Sequence, residues 1–232
     1  MEIPSLRPET RYGMPNTDHC LMNRGFIVGY SYLFRQPAWT LQLIDANSST
    51  DNVDRRDVFR PDQRIPEQFR AELSDFSGSG YDRGHMVSSA DARGSKVANS
   101  ETFLLSNMTM QHPKLNRGKW KELEQAIRDL AAREEILEVY VVSGIMFDMA
   151  MPFRMIEGIV IPHWYFKSVL AEDYRGNLKL WTFTMPNREC DLELEEYLRS
   201  TSEVESWAGL ELWNRLPGEK FAKMKTKITR MW

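Results

Sequence analysis

Residues 81–86 read Tyr-Asp-Arg-Gly-His-Met, and residues 111–120 read Gln-His-Pro-Lys-Leu-Asn-Arg-Gly-Lys-Trp. In the first stretch an acid, a guanidinium, a glycine and an imidazole occupy consecutive positions. An unperturbed histidine titrates near about pH 6.5, so His85 can accept a proton at neutral pH. Arg83 offers a planar fork that fits phosphate oxygens, and Gly84 permits close backbone approach. Taken alone, the tetrapeptide reads equally well as a turn histidine beside a salt bridge.

The second stretch narrows the reading. Residues 119–133 form a helix by periodicity, with Trp120, Leu123, Ile127 and Leu130 on one stripe. Extending that helix back to Asn116 places Asn116, Glu124 and Arg128 within roughly 120° of one flank, at about 100° per residue. An amide oxygen, a carboxylate and a guanidinium then project to one place. Singly, Asn116 is an ordinary helix cap and Glu124 with Arg128 an ordinary i,i+4 ion pair. Their conjunction with residues 82–85 points elsewhere. Phosphodiester hydrolysis needs a base, a cation at the leaving oxygen, positive groups on the phosphate and rigid positioning. The other histidines, His19, His112 and His163, lie in surroundings that suggest no base.

Working outward, residues 25–34 and 39–45 read as strands, 47–66 as a long polar loop, 76–80 as a turn and 103–106 as a short apolar strand. Residues 137–143 read as a buried strand, 164–170 and 178–184 as a hairpin pair, and 191–199 and 220–230 as helices. No repeat, low-complexity tract or interdomain linker interrupts the 232 residues, so one domain is expected, with its catalytic core at about 54–133. The expected class is α+β: a central antiparallel or mixed sheet flanked by helices.

The chain is 42% hydrophobic and 27% charged, enough apolar surface for a packed core. No run of eighteen apolar residues occurs, so no membrane span is expected. A basic leader followed by an apolar stretch is absent, which sets a cytoplasmic location as the expectation; a secreted chain trimmed of its leader would read the same. Cys20 and Cys190 could pair, but two free thiols are the simpler reading. The net charge of −3 does not announce a polyanion binder. Its distribution is uneven: residues 54–121 hold 12 Lys/Arg against 9 Asp/Glu, and Lys114, Arg117, Lys119 and Lys121 lie in 113–121 without an acid. A local basic surface on an acidic body can still hold phosphates, because only nearby charges survive screening.

The stretches 81–86, 101–108 (Glu-Thr-Phe-Leu-Leu-Ser-Asn-Met) and 111–120 together resemble the DNA/RNA non-specific endonuclease family, of the ββα-metal or His-Me finger type and endonuclease G-like. Looser similarity extends to Gly29, Tyr30, residues 35–39, residues 59–62 and residues 204–212. The resemblance implies a metal-dependent endonuclease acting on DNA, RNA or both. In that family's pattern His85 matches the general base, Asn116 the single protein ligand to Mg2+ (Mn2+ as the alternative), and Glu124 the acid that holds waters around the ion. Arg83 and Arg128 match phosphate-binding arginines, Arg56 another phosphate contact, and Asn107 and Gln111 polar residues at the site, Gln111 within reach of the phosphate. A homodimer is a further expectation of the resemblance, and an inhibitor or regulatory partner is expected because a nuclease without a visible export signal endangers its own host. Alternatives are a non-catalytic nucleic-acid-binding module, which should lack one of His85, Asn116 and Glu124, and a phosphodiesterase for a smaller diester, which should have a closed pocket. A zinc site lacks ligand spacing. The methionines, and the tryptophans at 164, 181, 207 and 213, read as core.

Overall fold

A computed structural model describes residues 7–44 and 58–232. In chain order the strands are β1 (His19–Asn23), β2 (Phe26–Ser31), β3 (Gln36–Ile44), β4 (Asp82–His85), β5 (Met108–Gln111), β6 (Ile136–Met146), β7 (Met155–Ile156), β8 (Ile159–Val160), β9 (Trp164–Asp173), β10 (Leu178–Pro186) and β11 (Leu198–Arg199). The helices are α1 (Leu73–Phe76), α2 (Lys96–Glu101), α3 (Pro113–Arg117), α4 (Lys119–Ala131), α5 (Thr201–Ala208) and α6 (Glu219–Lys225).

Seven strands form one sheet in the order β1-β2-β3-β6-β9-β10-β11, and every neighbouring pair in it is antiparallel. Side chains alternate across a pleated strand, and β6 shows why this sheet is covered on both faces. Val139 and Val141 pack with Leu123, Ile127 and Leu130 of α4. Tyr140 and Val142 pack instead with Val204 of α5, Trp213 and Phe221 of α6. The class is therefore α+β, with helices on both sides of an antiparallel sheet.

Beside the sheet, β4 and β5 form a separate antiparallel pair with Asp82 opposite Gln111 and His85 opposite Met108. Their connection carries α2, and β5 runs into α3 and α4, a strand–strand–helix unit. Gly84 is required by close approach here. A Cβ at this position would strike the side chain of Gln111, which lies diagonally across the pair.

Four local expectations differ from the structure. Residues 103–106 are not a strand: Phe103 and Leu105 exchange backbone hydrogen bonds with Arg60, Leu105–Asn107 makes a 3-10 turn, and the strand is the following β5. Residues 191–199 are not a helix, because β10 captures Leu198 and Arg199 as an edge strand after a 3-10 turn at Leu194–Tyr197. The last helix ends at Lys225. The fourth concerns the site: Gly118, at φ −105° and ψ −114°, separates α3 from α4, and a Cβ there would collide with the Lys114 carbonyl. Trp181 and Trp213 are core, whereas Trp207 is 50% exposed. Both cysteines are free and half-buried. Among the described residues no helix is long and apolar enough to cross a membrane.

Candidate active site

One open cavity of about 830 Å³ is lined by Arg83, His85, Asn116, Glu124 and Arg128, with Arg93 and Lys121 on its walls. Each element contributes for a local reason. The β4 strand carries Arg83 and His85. An aromatic box of Phe59 and Phe103 seats the imidazole, with ring centroids 5.6 and 5.1 Å away. The Arg83 guanidinium lies over the Phe59 ring at 4.4 Å, so its direction is set while its edge remains exposed to the cavity. The Trp120 indole donates to the His85 carbonyl at 3.3 Å, tying α4 to the strand.

Asn116 reaches the cavity by a different route from a continuous helix. Because Gly118 breaks the chain direction, Asn116 belongs to α3, and His112 caps that helix, not Asn116. Its amide nitrogen donates to Asp82 at 2.9 Å, and Arg117 donates to the same carboxylate at 2.8 and 2.7 Å. Burial pushes Asp82 up, but the hydrogen bonds from Arg117 and Asn116 more than offset this and hold its carboxyl below the ordinary value. An amide that spends its NH2 group on Asp82 has its carbonyl oxygen left for another partner.

Glu124 interrupts the apolar stripe of α4 and is 9% exposed. Its Oε1 is buried and accepts no hydrogen bond among the described residues, and the nearest cation is the Lys167 ammonium at 3.8 Å. Burial pushes this carboxyl up to about 7, against the opposing pull of Lys167. Arg128 does not pair with Glu124 four residues earlier. It binds Asp91 at 2.6 Å and Gln125 at 2.9 Å, and Gln42 of β3 holds the other oxygen of Asp91 at 3.0 Å.

Two expected site residues lie behind the cavity. Asn107 is fully buried and braces the segment after His85: its amide accepts from Val87 N at 3.0 Å and donates to the carbonyls of Val87 and Thr102 at 2.9 Å each. It does not line the cavity. Gln111 is 1% exposed, packs against Gly84 and does not line the cavity. Arg56 lies outside the described residues. Sequence reasoning did not single out Asp91 and Lys167; both are brought to the site by non-local contacts, and no local pattern marks them.

Among the described residues no three His, Cys, Asp or Glu side chains converge as a metal cage. The Asn116 amide and the unbonded Oε1 of Glu124 are two oxygen donors in the cavity, and a sparse hard set suits an ion retaining most of its waters.

The sequence profile of the DNA/RNA non-specific endonuclease family matches residues 7–219. Human mitochondrial endonuclease G is 30% identical over 216 residues, spanning 86% of this chain and 71% of the relative. The mitochondrial nuclease of Saccharomyces cerevisiae is 33% identical over 233 residues, spanning 90% and 70%. A nuclease of Syncephalastrum racemosum is 32% identical over 242 residues, spanning 94% and 75%. A solved EndoG structure, in complex with EndoGI and concerned with EndoG inhibition, superposes with a TM-score of 0.85 at 28% identity, covering 90% of this chain and 91% of that one. With the profile spanning nearly the whole chain, the chain belongs to the DNA/RNA non-specific endonuclease family.

Proposed function

We propose that this nuclease cleaves DNA, RNA or both with Mg2+, and that His85 is its general base. The observation that carries the reading is the open groove in which an imidazole, an amide oxygen, a buried carboxylate and two arginines meet. Asn116 would hold the ion through its carbonyl oxygen, and Glu124 would hold waters around it. Bound there, the ion supplies positive charge to the scissile phosphate and the departing 3′ oxygen. His85, seated between Phe59 and Phe103, takes a proton from the attacking water, which forms a bond to phosphorus in line with the P–O3′ bond that breaks. The products carry a 5′-phosphate and a 3′-hydroxyl.

Arg83 and Arg128 would bind phosphate oxygens, and Arg93 and Lys121, which line the same cavity and have no acidic partner among the described residues, would extend that charge along the groove. Contacts of this type read the backbone and not the bases, so sequence preference is slight. The open groove favours a polymer over a small diester. Likeness to the EndoG/EndoGI complex supports a protein inhibitor as a partner to be sought. The test is digestion of plasmid DNA and RNA with Mg2+, with EDTA, and with His85→Ala, followed by labelling of the product ends. Near-parental cleavage by His85→Ala, or products with 3′-phosphates, overturns the proposal.

A further inference from the structure

Lys167 is a lysine in the core. It is 1% exposed, in a strand where its neighbours on the same face, Tyr165 and Val169, pack against α4. Its ammonium donates to Ser143 Oγ, across the β6–β9 pair, at 2.9 Å and to the Met86 carbonyl at 3.3 Å. The Trp120 ring lies 4.3 Å away and Glu124 Oε1 3.8 Å away. Met86 follows His85 directly, and Trp120 itself bonds the His85 carbonyl. One ammonium therefore touches the backbone behind the imidazole, the helix that carries Glu124, and the central sheet.

A buried charge of this kind is a poor choice for stability alone. An apolar side chain of similar length at such a site is often neutral or stabilising, because it avoids the desolvation of the ions. Methionine would fill the space between Trp120 and β6 without that penalty. The lysine instead meets a carboxylate that has no hydrogen bond on its nearer oxygen, and it spends a second donor on the carbonyl of Met86, the residue that follows His85.

We infer that Lys167 is a positioning residue of this nuclease: its ammonium locks the His85–Met86 backbone and the Glu124 carboxylate at a fixed separation across the site. The inference rests on the reading of His85 and Glu124 as working groups. Lys167 lies beneath them and touches no substrate. Its removal acts on the rate of the chemical step and leaves nucleic-acid binding intact, since a misplacement of about 1 Å can lower a rate by about 10²-fold.

The test compares the parent chain with Lys167→Met and Ser143→Ala. Far-ultraviolet circular dichroism and melting in EDTA establish folding without metal, and steady-state plasmid cleavage separates kcat from KM. We expect folded Lys167→Met to lose about 10- to 100-fold in kcat with KM for DNA within about two-fold. Ser143→Ala, which leaves the charge but loosens its anchor, loses a smaller factor in kcat alone. In EDTA, the destabilisation caused by Glu124→Gln differs between the parent and Lys167→Met backgrounds, because the two charges are coupled. Folded Lys167→Met with parental kcat, or a drop in kcat matched by the same rise in KM, overturns the inference. If Lys167→Met does not fold, parental kcat in Ser143→Ala, or no rescue of folding by Lys167→Met/Glu124→Gln, overturns it. His85→Ala keeps the two levels apart: its inactivity beside an active Lys167→Met defeats only the positioning role, whereas an active His85→Ala defeats the catalytic reading itself.

Discussion

Replacing Asp82 by alanine should raise the Mg2+ requirement without removing any proposed ligand. In the structure the Asp82 carboxylate is 16% exposed and accepts the Asn116 amide at 2.9 Å. A hydrogen bond to an ionised acceptor contributes about 1.5–3 kcal/mol; the partial exposure puts this one near the lower end. That energy is what favours the orientation of Asn116 whose carbonyl oxygen is left for the ion. Since about 1.4 kcal/mol is a factor of ten, losing the anchor lowers the ratio of oriented to misoriented Asn116 about ten-fold, and the Mg2+ concentration for half-maximal cleavage rises by up to about the same factor. Saturating Mg2+ recovers most of the rate. The assay is plasmid cleavage over a Mg2+ titration, with melting curves to confirm folding. Arg117→Ala is the control: its side chain is 73% exposed and its ion pair to Asp82 is screened by solvent, so its Mg2+ midpoint stays within about two-fold of the parent. An unchanged midpoint in Asp82→Ala, or equal shifts in both variants, refutes the orientation argument. Because the Asp82 carboxyl is held below its ordinary value, the anchor stands at neutral pH and is lost only as pH falls through that depressed value.

His85→Ala should lower the cleavage rate by about 10²–10⁴-fold, the range for loss of a general base, read in single-turnover cleavage at saturating Mg2+. Asn107→Ala strands Val87 N–H and two carbonyls in the interior and should cost about 3 kcal/mol, a fall of roughly 6–12 °C in Tm; a change under about 2 °C contradicts the bracing role. Glu124 is raised by burial to about 7, so its neutral form stabilises the fold below its unfolded value of about 4.3, and that contribution fades as pH climbs through about 7. In EDTA, Tm should therefore decline across this window, and Glu124→Gln should flatten the decline; an equal slope in both proteins rejects the assignment. Arg128→Ala should weaken DNA binding and, by leaving Asp91 buried without its cation, also lower Tm.

The parts of the fold legible in the sequence share a physical basis: each is marked by its own local residues. The stripe through Trp120, Leu123, Ile127 and Leu130 places α4 correctly, and the turn residues 173–177 between two long apolar runs place the β9–β10 hairpin. Short apolar runs fail because their state depends on a partner. Residues 103–106 pack as a turn bonded to Arg60, and residues 198–199 become strand only because β10 offers an open edge. The helix through Asn116 is read too far back, since Gly118 looks tolerable in a helix until its contact with Lys114 is seen.

The same division holds for the site. Residue types whose chemistry is self-evident at short spacing, Arg83, His85, Asn116, Glu124 and Arg128, are found from the sequence, and all five line one cavity. How those groups are held is decided by contacts between residues far apart in the chain. Asp82 orients Asn116, Asp91 takes Arg128 from Glu124, and Lys167 meets that carboxylate instead. Sequence alone determined the chemical inventory and the helix and strands that bear it, because those follow from side-chain identity and short-range periodicity. Only the tertiary structure decided which charge faces which. Pairing energies depend on distance and burial, and neither is a property of neighbouring letters.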